Sequence, residues 1–298
     1  MSAFRKIGLI GFGEVGQTLA EDLAKTGAQL SAFDILFADP DSAPSKAIAQ
    51  TSVRTGVDAK DAIRDAELVI SAVTAASDVD ASRAAAAGIA KGAFFLDLNS
   101  VSPGMKRECQ MIIEDAGGRY VEAAVMTPIE GKRIASPMLL GGAHSEEFLA
   151  QAAPLGFSAE VFSLDVGQAS AAKMCRSVII KGVEALVSES MLAARGYGVE
   201  KTVLASLSDL LPNPDWEKFA AYLISRALQH GVRRAEEMRE AAKTVEETGI
   251  EPFMASATVQ RQEWSAVRKH ALAQAGDLGA MLDVMRNTVE KNSRSNTA

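Results

Sequence analysis

Lys173 and Arg176 stand three residues apart in the stretch GQASAAKMCRSVIIKGVEALVSESMLAARGYG, residues 167–198, with Ala, Met, Cys, Val and Ile around them. An ammonium among apolar side chains is costly unless an anion meets it. The spacing predicts one long helix over 167–195, on which positions 173, 176, 177, 180 and 184 share a face. That face carries Lys173, Arg176, Ser177, Ile180 and Glu184. Two cations so placed invite a carboxylate, phosphate or sulfonate. Desolvation and a neighbouring positive charge both lower a lysine's pKa. An amine tuned toward neutrality takes a proton from an alcohol while hydride leaves the adjacent carbon, or returns that proton to a carbonyl. The competing reading is a lysine whose stem packs on apolar surface while its head reaches water.

A second constellation opens the chain. IGLIGFGEVGQTLAEDL contains Gly11-Phe12-Gly13-Glu14-Val15-Gly16, the G-x-G-x-x-G spacing, after an apolar run and before a helical pattern. In that context Gly11 makes the tight turn, Gly13 lets the backbone approach a pyrophosphate, and Gly16 allows close helix–strand packing. The helix N-terminus adds free N–H groups and a partial positive charge. Asp34 follows Gly16 by eighteen residues, where a carboxylate accepts from ribose hydroxyls and repels a 2′-phosphate. Ile35, Leu36 and Phe37 come next rather than an arginine. NAD is the expected cofactor, with NADP as the alternative.

These residues need a sheet edge to gather them. Strand candidates are 6–11, 29–34, 52–56, 67–73, 93–98, 119–125, 137–142 and 160–164, separated by helical stretches such as VGQTLAEDLAKTG and DASRAAAAGIA. Near-continuous apolar strands alternating with helices predict a parallel sheet buried on both faces, with its ligand crevice at the strands' carboxyl ends. Beyond about residue 166, helical periodicity takes over. Helices are expected at 200–211, 215–231, 232–249, 252–264 and 276–291, with Gly, Pro and Asn punctuating the joins. The fold class is therefore α/β then all-α. A Rossmann-type doubly wound domain is expected over 1–165. A helical domain for substrate and dimerisation is expected over 166–298, beginning with the long helix, and its end, NSRSNTA, is expected to fray.

With 48% apolar and 23% charged residues and a net charge of −7, the 298-residue chain has an ordinary globular balance. The acidic balance argues against nucleic acid or an anionic membrane as main partner, leaving a small anionic ligand open to a local field. Cys109 and Cys175 are the only cysteines, and His144, His230 and His270 are scattered. Neither set supplies a disulfide framework or a metal-ligand spacing, so a reducing cytoplasm and no metal are expected. No uncharged run reaches the ~18 residues a membrane helix needs.

The motifs together resemble the β-hydroxyacid dehydrogenases, the group containing 3-hydroxyisobutyrate, tartronate-semialdehyde and 6-phosphogluconate dehydrogenases. GQASAAKMCRS is similar to that family's G-x-G-x-x-x-K-x-x-N-N helix motif, and FFLDLNSVSPGMKRE to its Asp-x-Ser-Thr-x-x-Pro stretch. The resemblance, which covers essentially the whole chain, implies an NAD(P)-dependent dehydrogenase of small hydroxy acids with Lys173 as general acid/base. Asn99 and Ser100 would meet nicotinamide and substrate; caps of the following helix, with Ser102, are the alternative. Val73 and Thr74 would pack under the nicotinamide ribose. The substrate loop reads EAAVMTPIEG, so Met126, Thr127 and Pro128 replace the family's Ser-Gly-Gly, and Arg176 and Ser177 replace its amides. Arg176 would clamp the substrate's anionic group, and a substrate other than 3-hydroxyisobutyrate is expected. His230, Arg233, Arg234 and Glu237 read as a solvated charged face, with substrate binding as the minority reading. A homodimer or higher homo-oligomer is expected. The alternatives are an imine reductase-like enzyme, which usually carries Asp or Tyr at the lysine position, and a non-catalytic dinucleotide-binding scaffold.

Overall fold

The computed structural model describes residues 4–207 and 215–295. The chain divides into two compact units, Met1–Met174 and Cys175–Ala298.

The first unit is built on one eight-stranded sheet of order β3-β2-β1-β4-β5-β6-β7-β8. Its strands are β1 (Lys6–Ile10), β2 (Gln29–Phe33), β3 (Arg54–Thr55), β4 (Leu68–Ser71), β5 (Phe94–Asp97), β6 (Arg119–Val125), β7 (Met138–Gly141) and β8 (Ala159–Ser163). Helices α1 (Glu14–Ala24), α2 (Ala43–Ile48), α3 (Ala59–Ile63), α4 (Asp78–Ala86), α5 (Pro103–Asp115), α6 (Ile129–Lys132) and α7 (Ser145–Ala152) connect them. The order 3-2-1-4-5-6 reverses between β1 and β4, the switch point where doubly wound sheets hold their ligands. Two cores cover the faces. One joins Leu9, Leu19, Leu23, Phe94 and Phe148; the other joins Ile63, Val69, Phe95, Cys109 and Tyr120.

The expected all-parallel sheet needs one correction, since β7 runs antiparallel to β6. A parallel crossover takes a dozen or more residues, usually with a packed helix. The β6–β7 connection offers only the single turn of α6 and a 3₁₀ turn at Arg133–Ala135. One register row consequently crosses the sheet: Phe33–Ile10–Ser71–Asp97–Glu122–Gly141–Ser163. Gly11, Val73, Asn99 and Ser100 all lie one to three residues beyond it.

A thirty-residue helix, α8 (Gln168–Tyr197), starts in the first unit and continues into the second. The second unit adds α9 (Glu200–Leu207), α10 (Trp216–Glu246), α11 (Phe253–Ala266) and α12 (Leu278–Ser295) around Met191, Trp216, Ile224, Leu228, Met281 and Met285. Residues 208–211 of the helix expected over 200–211 lie outside the described residues. The two helices expected over 215–231 and 232–249 are one: α10 passes through Gly231 unbroken. A Cβ there would stand 2.6 Å from the Gln262 carbonyl oxygen and 2.9 Å from Ala266 Cβ, so this glycine serves close packing against α11 rather than a helix stop. At the C-terminus, α12 continues to Ser295, into the tail expected to fray. Among the described residues no helix is long and apolar enough to cross a membrane.

Candidate functional site

The glycine loop has the geometry of a dinucleotide cradle. Gly11 has φ of +92°, and a Cβ on it would meet the Ala72 carbonyl oxygen at 2.3 Å. On Gly16 a Cβ would meet the Gly11 carbonyl oxygen at 2.2 Å, whereas around Gly13 nothing lies within 4 Å of that position. Two glycines are thus required by the protein's own packing, and the third leaves open space at the start of α1. The residues present fit a pyrophosphate at this helix N-terminus. Gly13→Val is expected to leave thermal stability nearly unchanged while weakening dinucleotide binding by about tenfold or more; fluorescence titration with NADH beside a melting curve checks it.

Asp34 directly follows β2 beside the loop. Its Oδ2 accepts from the Phe12 N–H at 2.7 Å and its Oδ1 from the Leu36 N–H at 2.9 Å. One carboxylate therefore shapes the loop and presents negative charge at the ribose position. The Phe12 ring is buried against Phe37, so of this residue only backbone faces the cradle. Glu14 is exposed and Val15 half-buried at the start of α1.

Past the ends of β4 and β5, Asn99 ties two loops together. Its Oδ1 accepts from the Val73 N–H at 2.7 Å, and its amide donates to Ser71 Oγ at 2.9 Å and to Asp78 Oδ1 at 2.7 Å. The cap of α5 is Ser102, which accepts from the Met105 N–H; Asn99 is occupied elsewhere. Lys173 Nζ donates to Ser100 Oγ at 2.6 Å. The lysine is half-buried and Thr74 is exposed. Met126 and Thr127 follow β6, half-buried, and Thr127 Oγ1 is shielded from solvent with no hydrogen-bond partner. Arg176 is exposed and Ser177 half-buried, both in the second unit.

Beneath Asn99 and Ser100 lies a charged cluster that sequence reasoning missed. Lys106, 1% exposed, sits 2.7 Å from Asp97 Oδ1. The Tyr120 hydroxyl donates to Asp97 Oδ2 at 2.6 Å, and the Asn99 N–H donates to Asp97 Oδ1 at 2.9 Å. Burial opposes the charge on Lys106, but Asp97, Asp78 and Glu122 outweigh it and hold its pKa above the ordinary lysine value. Burial and the charge of Asp97 push Asp78 up to about 7. The Cys109 thiol is pushed up by burial and by Asp78 and Asp97. Asp78, Asp97 and Cys109 offer ligand atoms within 4.8 Å of one another. The Lys106 ammonium already supplies the cation there, and a protonated thiol is a poor metal ligand. The signal available in the sequence was Lys106 itself, a lysine among the inward-facing positions of α5.

The second unit corrects one reading. Arg234, expected on a solvated face, is 7% exposed and pairs with the buried Glu184, which also accepts from Gln262. Arg233 does form the exposed i,i+4 pair with Glu237, and Lys181 is a further, buried partner of that glutamate. Glu184, placed by spacing on the face of Lys173 and Arg176, is thus neutralised by α10. Cys175 is exposed on α8.

Residues 6–157 match the family described as the NAD binding domain of 6-phosphogluconate dehydrogenase, and residues 194–265 match a domain described as of unknown function, DUF1932. A conserved hypothetical protein from Sinorhizobium meliloti 1021 is 34% identical, with a TM-score of 0.74 and 96% of each chain covered. The mitochondrial 3-hydroxyisobutyrate dehydrogenase of Drosophila melanogaster is 28% identical over 68% of this chain and 62% of its own length. The Mycobacterium tuberculosis 3-hydroxyisobutyrate dehydrogenase solved with L-serine, 19% identical, shares the fold at a TM-score of 0.69 over 96% of this chain and 100% of its own. With its glycine cradle, its 3-2-1-4-5-6 sheet and a family match over half its length, the chain belongs to the dinucleotide-dependent oxidoreductases of the 3-hydroxyisobutyrate and 6-phosphogluconate dehydrogenase family, as a divergent branch.

Proposed function

We propose that this protein is an NAD-dependent dehydrogenase of a small anionic hydroxy acid, with Lys173 as its general acid/base. The observation that carries the reading is the contact of Lys173 Nζ with Ser100 Oγ at 2.6 Å, directly after Asn99 and past the end of β5. A bound nicotinamide supplies the acceptor for the substrate's hydride. The chain's own residues manage the proton. Lys173 Nζ takes it from the substrate hydroxyl as the carbon is oxidised, and Ser100 Oγ keeps the amine aimed. Asn99, fixed by three partners, holds the 73–74 and 99–100 loops at a constant separation. The buried Thr127 hydroxyl and Met126 shape the substrate side, and Arg176 and Ser177, three and four residues beyond Lys173, take the anionic group. The charge of Asp34 favours NAD over a 2′-phosphorylated cofactor. The second unit is assigned to homodimerisation, since it exposes Ile179, Leu186, Tyr222 and Val232.

The test is a panel of small hydroxy acids with NAD and NADP separately, run beside imine reduction. Oxidation with NAD, preferred about tenfold or more over NADP, is the expected result. Imine reduction without alcohol oxidation would replace the proposal by an imine reductase. Dinucleotide binding without any turnover would leave a scaffold.

A further inference from the structure

The geometry points to Glu122 as a positioning residue for Lys173: its buried carboxylate caps the helix that carries the amine and welds that helix to the sheet. The reading builds on Lys173 as the acid/base proposed above.

Gly167 is the N-cap of α8, because its carbonyl accepts the first helical bond from the Ala171 N–H. A glycine cap has no side chain to satisfy the free N–H groups of the first turn, and these are expensive to leave unpaired when buried. Gly167 and Ser170 are both buried. Glu122, fully buried in β6, does the capping from another element. Its Oε2 accepts from the Gly167 N–H at 2.6 Å and its Oε1 from the Ser170 N–H at 2.5 Å. These are the two donors that a capping box satisfies with two side chains from within the helix; here one carboxylate serves both.

The surroundings are adapted to that carboxylate. Opposite it on β7 stands Gly141, where a Cβ would approach Glu122 Oε2 to 2.5 Å. Lys106 carries the facing positive charge. Glu122 is level with Asp97 in the sheet register, and Asp97 in turn holds the Asn99 N–H. The two ends of the Lys173–Ser100 contact are therefore anchored to neighbouring strands by two acids that share one lysine. Lys173 follows Ser170 by three positions, so the order of the first turn sets the place of the amine.

The test uses the full-length protein with NAD bound. In Glu122→Gln one backbone N–H faces an amide donor and loses its acceptor. Amide hydrogen exchange over 167–173 is expected to accelerate about tenfold or more, while peptides of the glycine loop stay unchanged. On a hydroxy acid that the wild type turns over, kcat should fall about tenfold or more, with KM and the dinucleotide Kd within about twofold and the kcat–pH limb displaced. Glu122→Asp, with the charge kept on a shorter arm, should fall between the two. Unchanged exchange at 167–173, uniform acceleration across the chain, or retained kcat despite local acceleration would each overturn the inference. If the wild type oxidises no hydroxy acid, the proposed function fails while this inference is still decided. In that case acylation of Lys173 by an amine-selective aryl ester, normalised to the exposed Lys218 and read by peptide mass, must change about fivefold or more in Glu122→Gln together with the local exchange. An unchanged ratio refutes the positioning role.

Discussion

Lys173→Ala is expected to lower kcat by about 10²–10⁴, the usual worth of positioned acid–base help, while NAD affinity stays within about twofold. The proposed dinucleotide cradle is made by residues 11–16 and Asp34, whose carboxylate accepts from the Phe12 and Leu36 N–H groups, whereas Lys173 Nζ donates to Ser100 Oγ past the end of β5. Under the proposed function, removing the amine takes away the group that receives the substrate proton and the donor to Ser100 Oγ, but it opens no apolar core. Lys173→Arg should be nearly as damaging. A guanidinium keeps the charge but stays protonated throughout the working range, so it cannot accept a proton. Steady-state kinetics beside a fluorescence titration separates the two effects. Equal loss of turnover and of cofactor binding in both variants would reduce the helix to a structural element.

The largest effect on stability is expected from Lys106→Met. Breaking a buried ion pair by removing one partner typically costs ~3–5 kcal/mol, because the remaining charge is left uncompensated. Here Asp97, Asp78 and Glu122 would all lose their shared cation. The loss should depend on pH with a definite sign. Without Lys106 the buried Asp78 has a folded-state pKa still further above the unfolded value of about 3.9, because burial and the charge of Asp97 are then less opposed. The folded variant then holds a proton that the unfolded chain has released, so its stability falls as pH rises from about 4 through that raised value. Asp78, already at about 7 in the intact protein, would move further in the same direction. Urea unfolding should therefore show a larger gap between variant and wild type at pH 8 than at pH 5. Lys106→Met combined with Asp97→Asn should recover part of the loss, since charge and counter-charge leave together. A gap independent of pH would mean that lost packing around the lysine stem, rather than charge, causes the destabilisation.

The elements legible in the sequence were those whose pattern is local. The central strands β1, β4, β5 and β6 are short, largely apolar runs between glycines or polar joins, and the glycine loop sits where strand meets helix, so both follow from neighbouring residues. What escaped was set by partners distant along the chain. Gly231 looks like any helix stop until Gln262 and Ala266 are seen pressing on it. Arg234 has the same spacing as a solvated arginine, and its pairing with Glu184, fifty residues earlier, helps make its burial tolerable. The direction of β7 was hidden because an apolar strand reads alike both ways, and the shortness of α6 decides it. Glu122 opens the EAAVMTPIEG stretch, and nothing near it in sequence announces that its acceptors are needed forty-five residues later by Gly167.

The reversal of β7 and β8 bears on how proteins of this build are recombined. Both strands run against β6, yet they finish on the register row of Ile10, Ser71 and Asp97, so Ser163 hands the chain to α8 only four residues before Gly167. A chimera that grafts a foreign C-terminal half after Ser163 inherits that launching point, but not the fit between Glu122 and the incoming helix. The transplantable cassette is therefore the helical half together with its first two turns and the acid on β6, and fusions that cut between them would misalign the amine even when each half folds.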